Sequence, residues 1–212
     1  AEKLDDASLA LERASAEVEA ALADAKREQF AVEIAELSRA AEGLERAAAS
    51  ERIIAKQSKL AKEAEGLKAS IAKELVDEQG DIEAFVVKTA EGLAVLAPEV
   101  SKKLEGLVPQ FRSIQKNLKA SSEAKGEESK KKAAAAYGSA DEAARELAEA
   151  AAELRKQVGE TAEELAAESL EQLEEVTDAR EAVDESLAER PEAIGDELDS
   201  LKRAQGLVKQ AL

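Results

Sequence analysis

One proline-free stretch, from about residue 4 to residue 79, most constrains what this chain can form. From Phe30 onward its apolar residues step alternately by four and three positions, and after an interruption near Ile53–Ile54 the stepping resumes at Leu60. This spacing places one narrow apolar seam along a helix, as in coiled coils and long helical bundles. At 1.5 Å per residue, a helix of ~75 residues would be a rod of roughly 110 Å. The remaining helices are therefore expected to run alongside it.

Alanine supplies most of the apolar fraction of the sequence. The 212 residues are 44% hydrophobic but only 2% aromatic, and they include 47 alanines and 37 glutamates. Both residue types favour helix, and alanine adds little bulk, so helices can pack closely around a thin core. The composition predicts an all-α protein.

Turn signals divide the sequence into five predicted helices. Gly80-Asp81 predicts the end of the first helix, Pro98 separates the next two, and Pro191 precedes the last. A polar stretch at 121–132 predicts a loop or a frayed helix start, and Pro109 predicts a kink. The predicted helices span about residues 4–79, 82–97, 99–119, 139–189 and 192–212, within a single domain covering residues 1–212.

The predicted helices have apolar faces that can share one core. We predict an elongated antiparallel helical bundle, built on two long helices with a shorter reversed helix pair. If that pair folds back along the first helix, Phe30, Phe85 and Phe111 are expected to share one cluster. The principal core positions after the first helix are predicted at Phe85, Val86, Leu93, Leu96, Val100, Leu104, Leu107, Phe111, Ile114, Leu118, Leu147, Leu154, Val158, Leu165, Leu173, Val176, Val183 and Leu187.

The chain is strongly acidic, with a net charge of −17. Nucleic acid is not an expected partner, because a phosphate backbone requires a basic face. Simple adsorption to anionic lipid is not expected either. From Asp141 to Glu189 there are 17 acids and 4 bases, whereas from Glu99 to Lys132 there are 9 bases and 5 acids. Complementary faces of this kind can determine the register between helices.

No residue pattern indicates a catalytic, cofactor-binding or metal site. The sequence has no cysteine and no histidine, which zinc sites and Glu-x-x-His di-metal bundles require, and no glycine-rich phosphate loop. The adjacent pairs Glu163–Glu164 and Glu174–Glu175 point in different directions on a helix, so a solvated acidic face is expected. Tyr137 is expected to anchor a helix start, and Lys130–Lys132 to belong to the predicted loop. We therefore predict a protein that is not an enzyme and has no cofactor.

Two alanine- and glutamate-rich stretches carry a likeness to a known family: Ala7–Ala25 (ASLALERASAEVEAALADA) and Ala140–Ala152 (ADEAARELAEAAA). With these stretches, the whole sequence resembles the glutamic acid/alanine-rich surface protein family of trypanosomes and its alanine-rich relatives. The plan of long helices with a shorter reversed pair is also similar to the variant surface glycoproteins. The absence of cysteine departs from the disulfides that are usual in those glycoproteins.

The resemblance implies a non-enzymatic coat protein on a parasite cell surface, densely packed among neighbouring coat molecules and exposed as an antigen. It also implies a glycolipid (GPI) anchor at the C-terminus as the only membrane attachment. The anchor signal and any secretion signal would lie outside this sequence. No apolar run of about 18 residues predicts a transmembrane helix.

Two other interpretations stay open. An exchangeable lipid-binding bundle would also contain amphipathic helices, although these usually have a broad apolar face with basic residues and some Trp or Phe. A designed helical scaffold would also lack cysteine, histidine, methionine and tryptophan. Against design, the mid-helix glycines Gly43, Gly66 and Gly159 each cost roughly 1 kcal/mol relative to alanine.

Overall fold

The computed structural model describes residues 2–64 and 66–189, and the side chains of residues 13–64 and 66–182. Its helices are α1 (Glu2–Glu63), α2 (Ala69–Leu93), α3 (Pro98–Glu123) and α4 (Glu127–Glu189). No strand occurs within the described ranges. The predicted all-α antiparallel bundle of two long helices and a shorter pair is confirmed. The helix predicted at 192–212 lies outside the described residues, as do the side chains of Val183 and Leu187.

The chain divides into two compact units. Unit 1 comprises Ala1–Val32 and Glu160–Leu212, and unit 2 comprises Glu33–Gly159. Helices α1 and α4 contribute residues to both units, whereas α2 and α3 belong to unit 2 alone. The single domain predicted over residues 1–212 stays a prediction.

The first helix ends at Glu63, so the predicted end near residue 79 is wrong. Gly66 has a φ of +106°, a left-handed conformation that glycine adopts without the steric cost of a Cβ atom. Its N–H donates to the carbonyl of Ala61 at 3.1 Å, which satisfies one of the free carbonyls at the helix end. Gly80, the predicted stop, lies inside α2 instead.

Tertiary packing explains which of the two glycines ends the helix. The buried positions of α1 extend from Leu37 to Ala61, and those of α2 extend from Ala72 to Leu93. A reversal at Gly66 therefore brings two apolar spans of similar length side by side. Keeping Gly80 inside α2 costs about 1 kcal/mol relative to alanine, which burial along the whole seam offsets. The second helix is accordingly Ala69–Leu93, and the predicted range 82–97 is wrong.

Helices α3 and α4 are both longer than predicted. Helix α3 begins with Pro98 at its first helical position, where the fixed φ of proline suits a helix start. It continues through Pro109 to Glu123, beyond the predicted end at 119. Helix α4 begins at Glu127 rather than near residue 139, so the predicted loop at 121–132 reduces to three residues.

Two buried serines explain how so short a turn joins α3 to α4. Ser121 Oγ donates to the carbonyl of Ser129 at 3.0 Å, and Ser129 Oγ donates back to the carbonyl of Ser121. Gly126 reverses the chain with a φ of +59°. The reciprocal serine bonds hold the last turn of α3 against the first turn of α4.

Unit 2 is a four-helix bundle in which consecutive helices are antiparallel. Ion pairs and hydrogen bonds connect each helix of unit 2 to the next around the bundle. These contacts are Glu51–Gln79 between α1 and α2, Glu83–Arg112 between α2 and α3, Lys103–Glu153 between α3 and α4, and Arg155–Glu45 between α4 and α1. The pair Lys103–Glu153 joins the basic α3 to the acidic α4, as the charge distribution predicted.

Most predicted core positions of unit 2 are buried, with one correction among the phenylalanines. Phe111 is fully buried, whereas Phe85 is 36% exposed and lies outside the buried core. The prediction of one cluster of three phenylalanine rings is therefore wrong. The Phe85 ring instead lies over Gly43 of α1, where its Cε2 atom would be 3.0 Å from a Cβ atom. A glycine at position 43 allows this ring to approach the backbone of α1.

This contact predicts that Gly43→Ala does not give the stability that alanine usually adds to a helix. The new methyl group would overlap the Phe85 ring, so we expect a net loss of about 1 kcal/mol. In a Phe85→Ala background the same change should stabilise the bundle by about 0.5–1 kcal/mol. Urea unfolding of the four proteins in this cycle measures the coupling.

Gly106→Ala is the matched control for this cycle, because nothing lies within 4 Å of a Cβ atom at that helical position. It should stabilise the chain equally with and without Phe85. Equal effects of Gly43→Ala in the two backgrounds would contradict the contact.

Candidate functional site

The buried seam of unit 2 contains a polar pair, Glu51 on α1 and Gln79 on α2. Both side chains are fully buried. Gln79 Nε2 donates a hydrogen bond to Glu51 Oε1. The remaining polar atom of each side chain, Glu51 Oε2 and Gln79 Oε1, is buried without a hydrogen-bond partner among the described residues. Buried polar atoms without partners are uncommon in folded proteins, so this pair is the first candidate for a functional site.

The apolar stepping continues through Glu51 rather than stopping near Ile53–Ile54. The seam of α1 passes from Ala48 to Glu51, Ala55 and Ser58, all of them buried. Leu60, at which the stepping was predicted to resume, is 51% exposed. The apparent interruption was a polar residue at a seam position, and its spacing from Ala48 was the signal in the sequence.

Burial raises the pKa of the Glu51 carboxyl to about 7, because an ion is poorly solvated inside the bundle. The hydrogen bond from Gln79 opposes this shift, and the negative charge of Glu78 adds to it. A protonated carboxyl gains an O–H donor, and the carbonyl oxygen of Gln79 is an acceptor without a partner. The neutral form of Glu51 therefore suits this position better than the charged form.

The pair is suited to specifying structure rather than to catalysis. A strongly shifted carboxyl can mark an active site, but neither Glu51 nor Gln79 is accessible to a substrate. A hydrogen-bonded polar pair in a mostly apolar helical seam favours one register, since a slip would break the hydrogen bond between two buried groups. We therefore interpret this pair as a determinant of the register between α1 and α2.

A groove of about 390 Å³ lies between α1 and α4 in unit 1. Three alanines of α1 line it, Ala16, Ala20 and Ala23, together with Leu173 and Val176 of α4. Because alanine side chains end at Cβ, the two helices leave this space between them. Its polar lining residues are Glu19, Asp24, Arg27, Gln172 and Glu175.

Polar contacts hold α1 and α4 together beside the groove. Arg27 donates to Asp24 at 2.9 Å on its own helix and also to Gln172 of α4. Lys26 pairs with Glu168 at 2.9 Å, and this carboxylate raises the pKa of Lys26. The groove is therefore an amphipathic surface with an apolar floor and charged edges.

The residues considered for chemistry in the sequence lie apart from both features, except Glu175, which lines the groove. Glu163–Glu164 and Glu174–Glu175 are exposed on α4, as expected. Tyr137 is half-buried against the core of unit 2, but it lies inside α4, so the prediction that it anchors a helix start is wrong. Lys130–Lys132 also lie in α4 rather than in a loop, and Lys130 pairs with Glu127 at 3.3 Å.

Within the described part of the chain, no group of three or more acidic, histidine or cysteine side chains could hold a metal ion. The helices of the same residues include none with an apolar run suited to spanning a bilayer. Comparisons with protein-family models, curated proteins and solved structures return no match. The resemblance to trypanosome surface proteins therefore stays a prediction.

Proposed function

We propose that this chain is a non-enzymatic coat protein of a parasite cell surface. In this role, copies of the chain stand close together and form a protective, antigenic layer. The proposal also includes attachment through a C-terminal glycolipid anchor that would lie outside this sequence. The resemblance to the alanine- and glutamate-rich surface proteins suggests this role.

The distribution of charge around α4 is the observation that carries the proposal. In unit 2 its apolar positions, such as Leu147 and Leu154, are fully buried. Exposed positions along the helix carry acids, as at Glu163, Glu164 and Glu174. An acidic exterior makes neighbouring copies repel each other and keeps them soluble when they are crowded, which a dense layer of identical molecules requires.

The core of unit 2 also suits close packing on a surface. Alanines at positions such as Ala41, Ala136 and Ala143 are fully buried between the helices. Small side chains allow the helices of unit 2 to approach closely, so this bundle is narrow. A slender bundle gives a coat more molecules per unit area than a wide globular domain would.

Release from intact source cells by phosphatidylinositol-specific phospholipase C tests the surface location and its anchor. Antibody staining without permeabilisation should be strong and should fall after the enzyme is added, while the protein appears in the medium. A transmembrane surface protein of the same cells, which the enzyme should not release, is the control. Staining that appears only after permeabilisation would contradict the proposal.

A further inference from the structure

The groove of unit 1 has the dimensions of a small-molecule site. Its volume of about 390 Å³ lies within the range of ligand pockets, which is about 300–1,000 Å³. Its lining on α1 extends from Ala16 to Arg27, which is about 16 Å along a helix. The groove is therefore long and narrow, and its shape suits a linear ligand better than a bulky one.

The floor of the groove is apolar and still partly accessible to water. Ala20, Ala23 and Val176 are half-buried, and Leu173 is 38% exposed. An apolar ligand that lies on these side chains would remove further apolar surface from water, which favours binding in proportion to the area covered. The floor therefore suits an alkyl chain.

The polar lining of the groove has an excess of negative charge. It contains three acids, Glu19, Asp24 and Glu175, and one base, Arg27. Arg27 already donates to Asp24 at 2.9 Å and to Gln172, so the charges of Arg27 and Asp24 largely compensate each other. The excess negative charge comes from Glu19 and Glu175.

These two carboxylates lie on opposite helices and are available to a cation. Glu19 is exposed on α1, and its Oε1 atom accepts a hydrogen bond only from the neutral hydroxyl of Ser15, at 3.1 Å. Glu175 is exposed on α4 and makes no side-chain hydrogen bond or ion pair with any other described residue. Charge complementarity at such edges favours a cationic ligand and disfavours an anionic one.

We propose that the groove of unit 1 binds a small linear alkylamine. The alkyl chain lies on the floor of alanine, leucine and valine side chains, and the ammonium group lies at the edge that Glu19 and Glu175 make negative. A primary amine carries this charge at neutral pH, as the lysine side chain does. The site is independent of the proposed coat function, and its test requires no cell surface.

Isothermal titration of the full chain with octylamine, at neutral pH and low salt, tests the chemistry of the ligand. Octylamine should bind at least about fivefold more tightly than octanoate, which has a similar chain and the opposite charge. Hexylamine should bind at least about threefold more weakly than octylamine, because each CH₂ group that the groove covers adds to the affinity. Equal affinities for the two amines, or for octylamine and octanoate, would overturn the proposal.

Two alanine variants test the location of the site. Ala20→Leu places a larger side chain on the floor of the groove and should weaken octylamine binding at least about tenfold. Ala21→Leu is the matched control, because Ala21 is exposed on the same helix and does not line the groove. The control should bind octylamine as the parent protein does. Equal affinities of the two variants would overturn the proposal.

A charge variant gives an independent measurement, which also decides the matter if Ala20→Leu does not fold. Glu19→Gln combined with Glu175→Gln leaves the floor intact and should weaken octylamine binding by about fivefold. The control, Glu17→Gln combined with Glu164→Gln, removes the same charge from exposed positions outside the groove. It should change the affinity less than about twofold. Equal losses would mean that the net charge of the chain attracts the amine, which would contradict a site in the groove.

Discussion

Replacing Glu51 by glutamine is expected to stabilise unit 2 by about 3 kcal/mol above pH 7 and to have little effect near pH 4. The folded bundle raises the pKa of this carboxyl from 4.5 to about 7. Glutamine has a similar volume and stays neutral, so it keeps the buried polar position without the cost of an ion.

The direction of the pH dependence follows from where the proton binds more tightly. The pKa of Glu51 is higher in the folded than in the unfolded chain. Below pH 4.5 the carboxyl is protonated in both states, so the bundle has its full free energy of unfolding there. Between pH 4.5 and about 7 the unfolded chain loses the proton first, so the free energy of unfolding falls as the pH rises. Above that range Glu51 is ionised in both the folded and the unfolded chain, so the free energy of unfolding no longer changes with pH through this group.

Urea unfolding of the parent protein and of Glu51→Gln between about pH 4 and about pH 8 measures this difference. Glu74→Gln is the matched control, because it removes a carboxyl group from an exposed position on α2. The control should follow the pH profile of the parent. A Glu51→Gln effect that does not change with pH would contradict a neutral buried carboxyl.

Replacing Gly66 by alanine is expected to destabilise unit 2 by about 2–4 kcal/mol. The φ of +106° at this position is strained for any residue with a side chain. The added Cβ atom would also overlap Ser129 Oγ and lie 2.8 Å from Ser129 Cβ. Since Ser129 bonds to Ser121 across the turn between α3 and α4, the displacement would disturb both turns at this end of the bundle.

Gly126→Ala separates the cost of backbone strain from the cost of the overlap with Ser129. Gly126 also has a positive φ, +59°, but nothing lies within 4 Å of a Cβ atom there. We expect it to cost about 1–2 kcal/mol from backbone strain alone. The midpoint of urea unfolding gives both values, and a Gly66→Ala cost no larger than that of Gly126→Ala would contradict the close contact with Ser129.

The heptad-like spacing of large apolar residues predicted much of the fold. The seam from Leu37 to Ala48 and the α3 series from Val100 to Leu118 are both buried, because period alone determines which face of a helix is apolar. The all-α class followed from the same pattern together with the alanine content. These features depend on local sequence, so one amino-acid sequence is sufficient to predict them.

The end of α1 depends on contacts that local sequence does not contain. Gly66 and Gly80 carry the same stop signal, and the choice between them depends on which reversal brings equal apolar spans together. The boundary between α3 and α4 has the same origin, since the bonds between Ser121 and Ser129 form only once the two helices meet. Tertiary contacts between helices therefore determine the helix ends that were predicted wrongly from the sequence.

The buried pair of Glu51 and Gln79 was not predicted from the sequence, for a related reason. A glutamate at a seam position looks like an interruption of the apolar pattern until its partner is known. Glu51 and Gln79 are 28 residues apart, and only the antiparallel pairing of α1 and α2 brings them together. The sequence does contain a signal for the groove of unit 1. Ala16, Ala20 and Ala23 step by four and three, which predicts a helix seam with little side-chain bulk.

The surface density of this protein on intact source cells tests the coat proposal most directly. Quantitative mass spectrometry of the protein released by phospholipase C, divided by the cell surface area, gives the mean spacing between molecules. A coat of four-helix bundles, each roughly 25 Å across, predicts a spacing of about 30–50 Å. A spacing of hundreds of ångströms, or no release from the surface, would contradict a dense coat.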